Sequence, residues 1–70
     1  MIPISMAAEG DVNTIRKITG KDEVRQHLAE LGFVVGVQVR VISKLGGNMI
    51  LSVLDTRVAL DQTLTNRIMV

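Results

Sequence analysis

The sequence predicts a small, mainly β domain that folds as a closed or nearly closed barrel. Three observations lead to this fold class. The chain has 70 residues, which leaves room for one domain. Five short segments rich in Val, Ile and Leu, separated by glycines and turn residues, are typical of strands. Helical apolar spacing is clear only in residues 21–31. Barrel closure would hide strand edges, and we expect the helix to plug one end or cover one seam.

The first ten residues predict a single helical turn, followed by the first strand. Ser5 is placed to cap a turn over residues 6–9, and Gly10 is placed to end it. Residues 11–19 are rich in β-branched side chains, which favours a strand. Ile15 and Ile18 fall on opposite parities of that strand. We therefore expect a bend or bulge between them.

Residues 21–31 predict the main helix. Their apolar stripe has the spacing i, i+4 and i+7, at Val24, Leu28 and Leu31. Gly32 follows the stripe and suits a left-handed position that ends the helix, and Phe33 supplies the apolar contact that accompanies such an end. A second turn is expected at Gly36.

The second half of the sequence predicts three strands joined by tight turns, one helical turn and a last strand. The strands are expected over residues 37–43, 49–54, 57–60 and 67–70, with turns at 44–48 and 55–56. Asp61 is expected to N-cap a helical turn over residues 62–65, and Asn66 to leave it in the left-handed conformation.

The composition excludes several classes of function. The chain has no Cys, which excludes disulfides, thiolate metal sites and cysteine nucleophiles. Its formal net charge is only +1, and its one aromatic residue is Phe33. Six basic residues lie on or beside predicted strands, but single-stranded nucleic acids and proline-rich peptides require aromatic surfaces. We therefore expect no nucleic-acid partner. These six are Arg16, Lys17, Arg40, Lys44, Arg57 and Arg67.

Membrane insertion and catalysis are not expected either. No apolar run approaches the roughly 18 residues of a membrane span, and the first residues lack the pattern of a signal peptide. We expect a cytoplasmic domain. The sequence has no phosphate-binding loop, and its single His27 has no nucleophile at a catalytic spacing. We therefore expect a protein that is not an enzyme.

Several short motifs occur in a fixed order along almost the whole chain. They are Glu9-Gly10, Ile18-Thr19-Gly20, the stretch HLAELGF (27–33) leading to Gly36, Val39 with Val41, VALD (58–61) and RIMV (67–70). Together they resemble the FeoA family of bacterial ferrous iron uptake. The same domain resembles the C-terminal SH3-like domain of iron-dependent repressors. One departure is Val35, where the family often has a proline before the turn glycine.

The resemblance implies an SH3-like barrel that contacts a FeoB-type membrane iron transporter, whose cytoplasmic part is a GTPase. Two alternatives remain open from the residues. One is a metal-sensing module, which could not read DNA alone because no helix-turn-helix fits in the chain. The other is a self-associating structural module, which would make the chain a homo-oligomer.

A row of three residues on the main helix is a weak candidate for a transition metal such as Fe²⁺ or Zn²⁺. Glu23, His27 and Glu30 lie at i, i+4 and i+7, so they share one helix flank. A solvated flank accounts for the same pattern, since three ligands on one exposed helix lack an enclosing second set of contacts. No resident cofactor is expected.

The sequence has more apolar residues than one small core can bury, which suggests a partner surface. The strongest candidate is Leu45, because a leucine beside the Gly46-Gly47 turn has little local core to join. Further candidates are Val34 and Val35, in the turn after the main helix, and Met49, in a strand that is apolar on both faces.

Overall fold

A computed structural model describes residues 1–70, and it consists of six strands, two α-helices and one 3-10 turn. In chain order the elements are the 3-10 turn Ile4–Met6, β1 (Val12–Thr14), β2 (Lys17–Ile18), α1 (Asp22–Glu30), β3 (Gln38–Leu45), β4 (Asn48–Val53), β5 (Thr56–Leu60), α2 (Gln62–Thr65) and β6 (Ile68–Met69). The mainly β class is confirmed, as are the helix after the first strand and the helical turn before the last. Neither α-helix combines the length and apolarity that a membrane span needs.

The strands form two antiparallel sheets instead of one closed barrel. One sheet has the order β1-β3-β4-β5 and the other pairs β2 with β6. The bend predicted between Ile15 and Ile18 is where the chain passes from the first sheet to the second. There, the Ile15 N–H donates to the Val37 carbonyl at 2.9 Å and the Arg16 N–H donates to the Met69 carbonyl at 2.8 Å. The bend therefore joins the two sheets.

The core is one cluster of twelve buried apolar residues drawn from both sheets and α1. They are Ile4, Ala7, Ile15, Leu28, Phe33, Val39, Val41, Met49, Leu51, Val53, Leu60 and Ile68. Leu28 is the buried centre of the predicted helix stripe, and Val24 and Leu31 pack against the core beside it. Phe33 donates its N–H to the Leu28 carbonyl at 2.9 Å, while Gly32 has φ +105°. The predicted glycine-ended helix stop is thus confirmed.

Two local predictions at the chain's ends are wrong, and the two side chains concerned contact each other. The N-terminal turn spans Ile4–Met6 instead of residues 6–9, and Asn66 is right-handed at φ −66° instead of left-handed. The Ser5 hydroxyl, expected to cap a helix, donates instead to the Asn66 side-chain oxygen at 2.6 Å. A contact over 61 residues thus engages both side chains, in place of the local capping role expected of Ser5.

The two turns of the β3–β4–β5 meander also differ from the predictions. The first turn is only Gly46-Gly47, because β3 extends to Leu45 and β4 begins at Asn48. The second turn is Leu54-Asp55, one residue earlier than predicted. Both of its residues have positive φ, 48° and 62°, as a type I′ hairpin turn requires.

Candidate docking site

The direction of the Leu45 side chain is set by a register shift within β3. Val41 pairs with Leu51, but the next pair is Ser43 with Ile50, so the β-bulge adds one residue to β3. Side chains alternate between the two faces of a strand, so one extra residue inverts the faces beyond it. Leu45 therefore points away from the core, and at 82% it has the highest exposed fraction of any large apolar side chain.

The strand beneath Leu45 is held by the N-terminal segment. The Lys44 backbone N–H donates to the Glu9 carboxylate at 2.9 Å. The Lys44 ammonium group reaches inward and donates to the Ala7 carbonyl at 2.8 Å. Both bonds join residues at least 35 positions apart, so this side of the hairpin is fixed by tertiary structure.

The other side of the hairpin is held by α2. Its Gln62 N–H donates to the Asn48 side-chain oxygen at 2.8 Å. The hydroxyl of Thr65, which is buried, donates to the Gly47 carbonyl at 2.6 Å. Leu45 is consequently presented on a turn that is anchored from two sides.

Leu45 borders an open groove of about 420 Å³ on the outer face of the sheet. Ile50 and Ala59 line it from the neighbouring strands, where they are paired with each other. We call Leu45, Ile50 and Ala59 the hairpin patch. Met49, predicted as a contact residue, is only 3% exposed and belongs to the core. Although Met49 also lines the groove, β4 turns Met49 inward and Ile50 outward, so Met49 offers a partner almost no accessible surface.

Val34 and Val35 lie at the opposite end of β3 from the hairpin patch. Both are exposed, at 40% and 65%. Leu45 is the last of the eight residues of β3, so the length of this strand, roughly 20–25 Å at the rise of a strand, separates it from the two valines. The predicted contact residues thus divide between two surfaces. Gly36, next to Val35, has the expected positive φ of 94°.

The candidate metal row lies on the exposed flank of α1. Glu23, His27 and Glu30 are all solvent-exposed. No three His, Asp or Glu side chains of the molecule are grouped closely enough to hold a metal ion. The structure therefore does not bring the row together as a three-ligand centre.

Known proteins match this chain along nearly its whole length. The FeoA domain family matches residues 2–70. The chain belongs to the FeoA family. A protein of Methanocaldococcus jannaschii assigned as an Fe(2+) transport protein A is 30% identical over 70 residues, which are 100% of this chain and 85% of that protein.

Two crystal structures of FeoA proteins are similar to the chain. One, described as an iron uptake regulatory protein, is 30% identical with a TM-score of 0.85, and the match covers 96% of this chain and 89% of that one. The other is FeoA of Stenotrophomonas maltophilia complexed with zinc, 28% identical with a TM-score of 0.73, covering 99% and 88% of the two chains.

The comparisons also confirm the predicted SH3-like fold. The Stenotrophomonas protein is described as a procaryotic SH3 domain protein, for which a role as an activating factor of ferrous iron transport has been suggested. A manganese-dependent transcriptional repressor superposes with a TM-score of 0.86 at 17% identity, over 94% of this chain and 38% of that one. This likeness concerns the fold and confirms the expected resemblance to a repressor domain.

Proposed function

We propose that this protein is a non-enzymatic accessory protein of ferrous iron transport, which docks on the cytoplasmic part of a FeoB-type transporter and modulates it. Membership of the FeoA family supports the link to Fe²⁺ transport. The observation that carries the docking proposal is the exposure of Leu45, 82%, on a hairpin anchored from both sides.

An anchored apolar tip is well suited to protein contact. Full burial of a leucine side chain contributes about 1.5–3 kcal/mol. A mobile turn would lose conformational freedom on binding, which opposes association. The bonds from Glu9 and Thr65 already order this turn in the free protein. Most of the free energy gained by burying the leucine therefore contributes to affinity.

Modulation requires that the docked protein distinguish two states of the transporter. A bound protein shifts an equilibrium only by the difference in its affinity for the two states. A difference of about 1.4 kcal/mol, less than the burial of Leu45 supplies, shifts the populations about tenfold. A hairpin patch that is covered in one state and uncovered in the other would provide that difference. The protein acts from the cytoplasm in this proposal.

Cellular iron uptake tests the proposal through Leu45→Asp. A carboxylate at the centre of an apolar contact would be desolvated without a partner. We expect Fe²⁺ uptake to fall to the level of cells without this protein, while expression and the thermal unfolding temperature stay unchanged. Leu54→Asp is the matched control, because Leu54 is also exposed but lies at the other end of β4. Normal uptake with Leu45→Asp would contradict the proposal.

We assign no metal ion to the proposed mechanism, although a relative has been crystallised with zinc. The residues of α1 do not fit a three-ligand centre. We expect Glu23→Ala and His27→Ala to leave the affinity for Zn²⁺ and Fe²⁺ unchanged in calorimetric titrations. A tenfold loss of metal affinity in both variants would instead show that the row on α1 is a metal site.

A further inference from the structure

We propose that a second surface of this protein binds an acidic, amphipathic segment of a partner protein. The surface is an open groove of about 640 Å³ between the bend that joins the two sheets, α1 and the turn after α1. We call it the basic groove and define it by its three cations and three apolar side chains: Arg16, Lys17, Arg25, Ile18, Val34 and Val35. It lies at the opposite end of β3 from the hairpin patch.

The groove carries an excess of positive charge. Its charged residues are three cations and one anion, Asp22, which gives a local formal charge of 3 − 1 = +2 in a chain whose whole charge is +1. Asp22 pairs with Arg25 at 3.6 Å, and both side chains are more than half exposed, so this ion pair is weak. Arg16 and Lys17 form no ion pair. A ligand that brings carboxylates would complement these two free charges.

The same groove exposes ordered apolar surface. Val34 and Val35 lie in a turn whose geometry is fixed by backbone bonds. The Gly36 N–H donates to the Ile15 carbonyl at 2.8 Å, and the Val37 N–H donates to the Val34 carbonyl at 3.2 Å. These hydrogen bonds fix the turn in the conformation that leaves the two valines exposed. A ligand must cover them to gain hydrophobic energy.

An acidic amphipathic protein segment satisfies both features at once. Its carboxylates would pair with Arg16 and Lys17, and its apolar stripe would cover Val34, Val35 and Ile18. The groove volume lies in the range of about 300–1,000 Å³ that is typical of ligand sites, which is enough for several side chains. Free phosphate would leave the valines uncovered. Nucleic-acid bases would find no stacking ring, since Phe33 is fully buried.

A titration with synthetic peptides, followed by NMR of the ¹⁵N-labelled full chain, tests this inference without any transporter. The probe is an amphipathic peptide with leucines at helical spacing and glutamates beside them, and the matched peptide carries lysines in place of the glutamates. We expect only the glutamate peptide to shift the amide signals of the groove residues. We also expect its affinity to fall as salt is raised.

Two double variants identify the surface. Arg16→Glu combined with Lys17→Glu should lower the affinity for the glutamate peptide by at least about tenfold. Arg40→Glu with Arg57→Glu makes the same change of charge on the outer face of the four-stranded sheet, where the two arginines flank Ser52, and should leave the affinity unchanged. Val35→Ser changes no charge and should also lower the affinity for the glutamate peptide. It keeps the test valid if the first double variant is poorly folded.

Several results would overturn the inference. One is the absence of groove shifts with the glutamate peptide, and another is an equal loss of affinity in both double variants. Reproduction of the same shifts by inorganic phosphate alone would show a simple anion site. Stronger binding to vesicles that contain phosphatidylglycerol, lost in Arg16→Glu with Lys17→Glu, would show a lipid surface. All of these outcomes are independent of Leu45, so the proposed docking on the transporter stands or falls separately.

Discussion

Two adjacent glycines at the hairpin tip are required for different physical reasons. Gly46 has φ +61° and open space around it, so only its backbone conformation favours glycine. Gly47 does not have a positive φ, but a Cβ atom there would overlap the Gln62 side chain of α2. The close approach of the turn to α2, which anchors Leu45, therefore depends on Gly47.

We predict that Gly47→Ala lowers the free energy of unfolding by about 1–3 kcal/mol, the usual range for overpacking. Urea denaturation measures this cost. The destabilisation should shrink when Gln62→Gly is combined with it, because the overlap is then removed. Gly46→Ala, whose cost comes from its backbone, should cost the same with or without Gln62→Gly. An undiminished cost of Gly47→Ala in the combined variant would contradict the steric explanation.

Leu54 is a strained residue on the surface. It and Asp55 occupy left-handed conformations with φ of 48° and 62°, which disfavour a branched side chain such as leucine. We predict that Leu54→Asn raises the free energy of unfolding by about 0.5–1 kcal/mol, because asparagine tolerates this conformation. Chemical denaturation gives the value. Since Leu54 is largely exposed, the variant loses little burial; a lower stability would show that its remaining contacts outweigh the strain.

At the scale of elements, α2 depends on the rest of the molecule. Four residues are too few for a stable isolated helix. The Asp61 carboxylate caps it by accepting from the Leu64 N–H at 3.1 Å, as the sequence predicted. Thr65, the one buried polar residue, ties its last turn to the hairpin. The helix and the hairpin therefore stabilise each other.

We predict that Thr65→Val destabilises the protein by about 1–3 kcal/mol, because the part-buried Gly47 carbonyl loses its donor. Thr63→Val, on the exposed side of the same helix, is the control and should change stability by less than about 0.5 kcal/mol. Thermal or urea unfolding compares the two. Equal effects would mean that the hydrogen bond to the hairpin contributes nothing of its own.

Elements that are determined by residues close together in the sequence could be predicted. The stripe of α1 and its stop at Gly32 need only helical spacing and a glycine. The bulge in β3 could not be predicted, because Val37, Val39 and Val41 alternate as in a regular strand and the irregularity follows them. Leu45 was predicted to be exposed from its position beside the turn, whereas the bulge is what turns it outward.

Other parts of the candidate site depended on tertiary structure. Met49 was predicted as a contact residue because its strand is apolar on both faces, and only its burial in the folded protein, opposite Leu60, shows that it points inward. The basic groove was predicted only in part: Val34 and Val35 were candidate contact residues, but their grouping with Arg16, Lys17 and Arg25 was not foreseen. It joins the bend at Arg16, the helix at Arg25 and the turn at Val35, which are separated in the sequence. The spacing of residues along the sequence does not reveal a cluster of this kind.

At the scale of the whole molecule, two surfaces of different chemistry lie at opposite ends of β3. The hairpin patch is apolar, whereas the basic groove combines cations with valines. Each lies on structure that is hydrogen-bonded to distant segments and surrounds one small core. This arrangement suits an adaptor that presents rigid contacts, and it gives the small domain room for two contacts without an internal binding cavity.

The most direct test of the account is a calorimetric titration of this protein against the purified cytoplasmic part of a FeoB-type transporter from the same organism. We predict binding by the unaltered chain, unchanged binding by Leu54→Asp, and at least a tenfold loss of affinity for Leu45→Asp, equal to about 1.4 kcal/mol. Circular dichroism should show that both variants are folded. Absence of binding by the unaltered chain, or equal affinities for all three proteins, would contradict docking through the hairpin patch.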